Sequence, residues 1–141
     1  MNKKIVLLVE DNADDEFFTR RGLQASELAL DIHVARDGAE ALDMLFNEKG
    51  PQLNPDLILL DLNMPKLDGI AVLARLRQER RTRLTPVVML TSSSQSDDVA
   101  RAYEAGANCY LSKPLDTNRL LQIVADMTRF WLRDCQLPPK G

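Results

Sequence analysis

Asp61 closes the apolar run Leu57-Ile58-Leu59-Leu60, and Glu10-Asp11 closes another that extends from Lys4 to Val9. Thr91 ends the run Pro86 to Leu90, and Lys113 follows the stretch Asn108 to Ser112. Runs this short and this apolar read as strands buried on both faces of a sheet. In open α/β sheets the carboxyl ends of strands are where ligands bind, so these polar groups are candidates for one site. Crowded carboxylates repel unless a cation sits among them, and an oxygen-only donor set selects a hard ion such as Mg2+. Magnesium binds through one or two carboxylates plus phosphate oxygens, so the pattern predicts phosphoryl transfer. Asp61 is the candidate nucleophile: an aspartate carboxylate can accept a phosphoryl group as an acyl phosphate, and at neutral pH it needs no base. Lys113 would place a positive charge on one transferring oxygen, and the Thr91 hydroxyl would donate to another. Any one of these residues has a structural explanation, such as capping a helix. Their coincidence at four strand ends carries the prediction.

The elements that position these groups follow from hydrophobic spacing and punctuation. After the first strand, Asp11 or Asn12 caps a helix over about Ala13 to Ala25. Gly22 inside it costs roughly 1 kcal/mol against alanine, which points to close packing against a neighbour. Asp31 to Ala35 is a second strand, and Asp37 caps a helix through Phe46 with Glu40 placed as in a capping box. Asn47 to Pro55, rich in Gly, Pro and amides, reads as a mobile surface loop. Met64-Pro65 and Asp68-Gly69 form the turn beyond Asp61, before a third helix spaced by Ile70, Val72, Leu73 and Leu76. Pro86 opens the fourth strand, Ser96 is expected to cap a helix over Asp97 to Ala105, and Gly106 ends it. A last helix runs from about Thr117 to Leu132, and Leu121 and Leu132 widen its apolar arc beyond one packed stripe, as either a partner surface or a well-buried helix would. Five strands alternating with five helices imply an α/β fold. Its doubly wound parallel sheet takes the flavodoxin-like order 2-1-3-4-5, with the switch point between the strands that end in Glu10-Asp11 and Asp61.

A length of 141 residues with 45% hydrophobic content supports a single domain, taken as residues 1–135, with a frayed tail over 136–141. The net charge of −3 argues against nucleic acid as a partner, and the basic run Arg75 to Arg83 reads as a solvated helix end. No window is apolar enough to span a bilayer and the N-terminus lacks a signal sequence, so no membrane partner and a cytoplasmic location are expected. Cys109 and Cys135 show no metal or redox spacing and read as free thiols. His33, the one histidine, lies within the second strand and reads as structural, which leaves no histidine-based triad.

Leu7-Leu8-Val9-Glu10-Asp11-Asn12, Leu60-Asp61-Leu62-Asn63-Met64-Pro65 with Asp68-Gly69, Leu90-Thr91-Ser92 and Lys113-Pro114 resemble, in order and spacing, the motifs of the receiver domains of two-component response regulators. The resemblance covers almost the whole chain. It implies Asp61 as phosphoacceptor for a histidine kinase, with Mg2+ as cofactor. Asp11 and Asp61 would be direct metal ligands, Glu10 would act through water, and the backbone carbonyl of Asn63 would be a further ligand. It also implies Thr91 and Tyr110 as a switch pair, and a cis peptide before Pro114. Ala105-Gly106-Ala107-Asn108-Cys109-Tyr110, the loop before Pro55, and Phe130-Trp131-Leu132 are similar to single-domain regulators that partner phytochrome-type histidine kinases. Such a regulator has no attached output domain and signals through a downstream protein or phosphotransfer partner. Homodimerisation through the surface of the fourth helix, fifth strand and last helix is expected. Two other chemistries fit less well. A phosphatase with an aspartyl-phosphate intermediate would place a general acid two residues after Asp61, where Asn63 cannot serve. A flavin binder would seat its phosphate on Thr91 to Ser94, beside carboxylates that repel it.

Overall fold

The computed structural model describes residues 3–140. Its elements are β1 (Lys4–Val9), α1 (Ala13–Ala25), β2 (Leu30–Ala35), α2 (Gly38–Phe46), β3 (Leu57–Leu60), α3 (Gly69–Gln78), β4 (Val87–Thr91), α4 (Ser96–Glu104), β5 (Cys109–Ser112) and α5 (Thr117–Arg129), followed by a π-helical turn over Phe130–Asp134. All five strands are parallel in the order β2-β1-β3-β4-β5, the expected doubly wound arrangement. Strand alternation splits the core in two. Leu7, Val9, Ile58, Leu60, Val87 and Met89 face one layer with Leu45, Leu73 and Leu76 of α2 and α3. Val6, Leu8, Leu57, Leu59, Val88 and Leu90 face the other, with Leu23 of α1 and Leu120, Val124 and Met127 of α5.

Register places the site. Val9 pairs with Leu60, which sets Glu10 beside Asp61, and Thr91 pairs with Ser112, which sets Lys113 one residue beyond it. Helix starts are fixed by side chains, at Asn12 and Asp37 as the spacing predicts and at Asp68 in addition. Asn12 Oδ1 accepts from Asp15 N–H at 2.9 Å, Asp37 Oδ1 from Glu40 N–H at 2.8 Å, and Asp68 Oδ1 from Ala71 N–H at 2.9 Å. Gly22 is where the close packing occurs: a Cβ there would lie 2.6 Å from Val124 Cβ of α5.

Several expectations are corrected. Ser96 does not cap α4; Gln95 holds that position without a side-chain bond. The anchoring comes from Ser93 instead, whose hydroxyl donates to Asp98 at 2.5 Å and accepts from Gln95 N–H at 3.4 Å. The basic run is not simply solvated. Arg77 donates to the carbonyls of Gly106, Thr82, Arg83 and Thr85 and to Asn108 Oδ1, while Arg81 binds the carbonyls of Leu53 and Leu45 over the Phe46 ring. A guanidinium offers five donors in a fixed fork, which lets it satisfy carbonyls left over at loop turns. The same contacts hold the loop before Pro55, expected to be mobile, with Leu53 packed on the core and its N–H on Met44 O at 2.9 Å. Of the tail over 136–141, whose last residue lies outside the described residues, Leu137 packs on the second core layer, and Lys140 Nζ reaches Asn54 O at 2.8 Å and Asp56 Oδ1 at 3.2 Å. The last helix leaves α-helical register after Arg129, where Cys135 N–H bonds back five residues to Phe130 O at 2.8 Å. No described peptide bond is cis, so the one before Pro114 is trans, the isomer an X-Pro amide favours by about 0.5–1 kcal/mol.

Candidate functional site

Lys113 is the centre of the site. Its side chain is only 6% exposed, and its ammonium donates to Glu10 Oε1 at 2.5 Å, Asp15 Oδ2 at 2.9 Å and Asp61 Oδ2 at 3.3 Å. The backbone of Lys113 is held by its N–H on Thr91 O at 2.7 Å, an extension of the β4–β5 ladder. Burial alone would pull the lysine down, but the hydrogen bond and charge of Glu10, with those of Asp15 and Asp61, hold it above its ordinary range. Burial pushes the Glu10 carboxyl up to about 7, and the Lys113 contact opposes that rise while the Asp61 charge adds to it. Asp61 is buried, with its N–H on Val9 O at 3.1 Å, and Asn63 N–H donates to its Oδ1 at 3.3 Å. Gly69 permits this packing: a Cβ there would sit 2.3 Å from Asp61 O and 2.9 Å from Leu62 Cα.

Glu10, Asp11 and Asp61 each present a carboxylate oxygen, and the three lie within 4.8 Å of one another. Glu10 and Asp61 are buried while Asp11 and Asn63 are exposed, so this acidic cluster opens to solvent on one side. Three anionic oxygens offset by a single ammonium, with no nitrogen or sulfur donor among them, fit a hard divalent cation.

Thr91 and Tyr110 make no hydrogen bond to the carboxylates. The Thr91 side chain is wholly buried, and its Oγ1 has no hydrogen-bond partner. Tyr110 donates its hydroxyl to Ser93 O at 2.9 Å, and burial raises its pKa. Ser112 Oγ also reaches Ser93 O, at 3.4 Å, so the residue two beyond Thr91 gathers both β5 side chains.

Sequence reasoning missed Asp15, Ser93 and Asp98 as parts of these networks. Asp15 shares the first turn of α1 with Asp14 and Glu16, so its residue type did not mark it.

The response regulator receiver domain model matches residues 6–125. The chain belongs to that family. It is therefore a receiver-domain signalling protein, with the flavodoxin-like fold such domains share. It is 40% identical over 138 residues to response regulator Rcp1 of Synechocystis sp., a match spanning 96% of this chain and 93% of that protein. A crystal structure of the phosphorylated cyanobacterial phytochrome response regulator RcpA is similar with a TM-score of 0.90 at 37% identity, covering 98% of this chain and 100% of that one. The Mn2+-bound form of Rcp1 is similar with a TM-score of 0.87 at 39% identity, covering 96% and 99%. Among the described residues, no helix is long and apolar enough to cross a membrane.

Proposed function

We propose that Asp61 accepts a phosphoryl group from the phosphohistidine of a histidine kinase, and that the chain passes this event on through protein contacts. The observation that carries this reading is the single ammonium of Lys113 held between the strand-end carboxylates Glu10 and Asp61, beside a cluster suited to a divalent cation. Asp11, Asp61 and the backbone carbonyl of Asn63 would hold Mg2+, with Glu10 acting through a water. Bound there, the ion neutralises charge on the transferring oxygens. A carboxylate oxygen of Asp61 attacks phosphorus as the bond to the kinase histidine breaks. Lys113 stabilises one phosphoryl oxygen, and the unpartnered Thr91 hydroxyl donates to another. Displacement of Thr91 toward the phosphoryl group would change the packing beside Tyr110 and thereby the α4-β5-α5 surface. On this reading the chain catalyses only its own phosphorylation and dephosphorylation.

Similarity to the phytochrome response regulators Rcp1 and RcpA supports a phytochrome-type histidine kinase as donor. The surface offered to a second copy is an apolar groove of Cys109, Leu111, Ile123, Met127, Phe130 and Trp131, with Phe130 54% exposed. Aromatic residues enriched at interface cores support homodimerisation there. A cytoplasmic setting suits its two free cysteines.

Acetyl phosphate with Mg2+ should add one phosphoryl mass to the wild type and none to Asp61→Asn. Equal labelling of the variant would refute Asp61 as acceptor. Beryllium fluoride with Mg2+ should shift the NMR signals of Thr91 and Tyr110, and sedimentation should report whether the mass doubles.

A further inference from the structure

An ammonium has three N–H donors, and each of those on Lys113 serves a different carboxylate, Glu10, Asp15 or Asp61. If Asp61 is the phosphoacceptor, one of these donors must turn to a phosphoryl oxygen, and one contact must be given up. We infer that Asp15 is the exchangeable partner: it occupies one donor of Lys113 until a phosphoryl oxygen displaces it. The inference rests on the function proposed above and adds a competitor to that site.

Burial selects Asp15 among the three. The Glu10 side chain is 2% exposed, so losing Lys113 would strip a buried carboxylate of its one charged partner and leave only the Asn12 N–H at 3.2 Å on Oε2. The Asp61 contact, though the longest of the three, is also to a side chain only 8% exposed. The Asp15 side chain is 35% exposed, and water replaces its lost partner at little penalty. Its backbone position does not depend on Lys113, because Asn12 Oδ1 fixes its N–H at 2.9 Å in the first turn of α1. There a negative charge is favoured by the helix N-terminus whether or not the lysine is bound. Among the described residues, the group of carboxylates that can share an ion is Glu10, Asp11 and Asp61, without Asp15. Asp15 therefore acts through Lys113 as a positioning residue.

The test compares wild type, Asp15→Asn and Asp15→Glu at saturating Mg2+, with beryllium fluoride titrated against the amide spectrum and the Lys113 ammonium resonance. Asp15→Asn should bind beryllium fluoride about two- to five-fold more tightly, the range expected for release of an exposed ion pair. Its Lys113 resonance should begin displaced from the wild-type position, toward that of the fluoride complex. Asp15→Glu should restore wild-type affinity. A folded Asp15→Asn protein that binds beryllium fluoride no more tightly than a responsive wild type overturns the inference alone. A wild type that shows no response at Asp61 removes the phosphoacceptor reading and this inference with it.

Discussion

Thr91 keeps a hydroxyl wholly buried without a partner, a condition proteins rarely tolerate. Such a group costs roughly 1–3 kcal/mol against an apolar replacement of the same shape. Thr91→Val should therefore raise the unfolding free energy in urea by about 1 kcal/mol, while the Tyr110 signals stop responding to beryllium fluoride. A drop in stability would mean that the hydroxyl is paired in solution. Glu10, Asp61, Thr91 and Lys113 were legible in the sequence because each ends an apolar run, and parallel register then brings strand ends together. Asp15 was not, since Asp14, Asp15 and Glu16 all suit the first turn of α1 and nothing in their types shows which meets Lys113. Ser93 is one of three adjacent serines, Ser92 to Ser94, with no spacing to distinguish it. Within the serine run, chain geometry alone singles out the carbonyl that receives Tyr110.

The helices were legible from caps and stripes, and where the basic run departed from expectation, the partners were chiefly main-chain groups. Arg77 and Arg81 bind carbonyls of loops distant in sequence, and composition carries no trace of which carbonyls lack a helical or sheet partner. Gly22 marks a site where propensity and packing oppose each other. Alanine would gain about 1 kcal/mol of helix propensity, but its Cβ would stand 2.6 Å from Val124 Cβ, and overpacking of this kind typically costs about 1–3 kcal/mol. Gly22→Ala should lower the urea midpoint by separating α1 from α5. If Gly22→Ala instead stabilises the protein, α5 accommodates the methyl by moving. At the start of α4, the Ser93–Asp98 hydrogen bond holds the loop whose carbonyl receives Tyr110. Asp98→Ala should change global stability by less than about 1 kcal/mol, yet broaden the Tyr110 ring resonances. Unaltered Tyr110 lines would show that the loop holds itself.

Across the whole molecule the two ends of the sheet have separate tasks. The carboxylates and Lys113 lie at the carboxyl ends of the strands, while the tail is tied to the opposite end. There Asp56 pairs with β1 through Ile5 N–H at 2.8 Å and receives Lys140 at 3.2 Å. The residues of β3 between Asp56 and Asp61 span about 13 Å at roughly 3.3 Å per residue, and they are buried on both faces. A sheet core this tightly held transmits little of a change made at its base. Leu137 is half-buried against the second core layer, so Leu137→Ala should reduce stability by about 1–2 kcal/mol, less than for a fully buried leucine. Lys140→Ala removes a pair between an exposed lysine and an Asp56 carboxylate that keeps its Ile5 N–H bond, and should cost under about 1 kcal/mol. Neither should change the affinity for Mg2+ or beryllium fluoride measured by NMR titration. If Leu137→Ala weakens both affinities beyond its loss of folded protein, the tail and the phosphoryl site are coupled through β3, and the two ends of the sheet act as one unit.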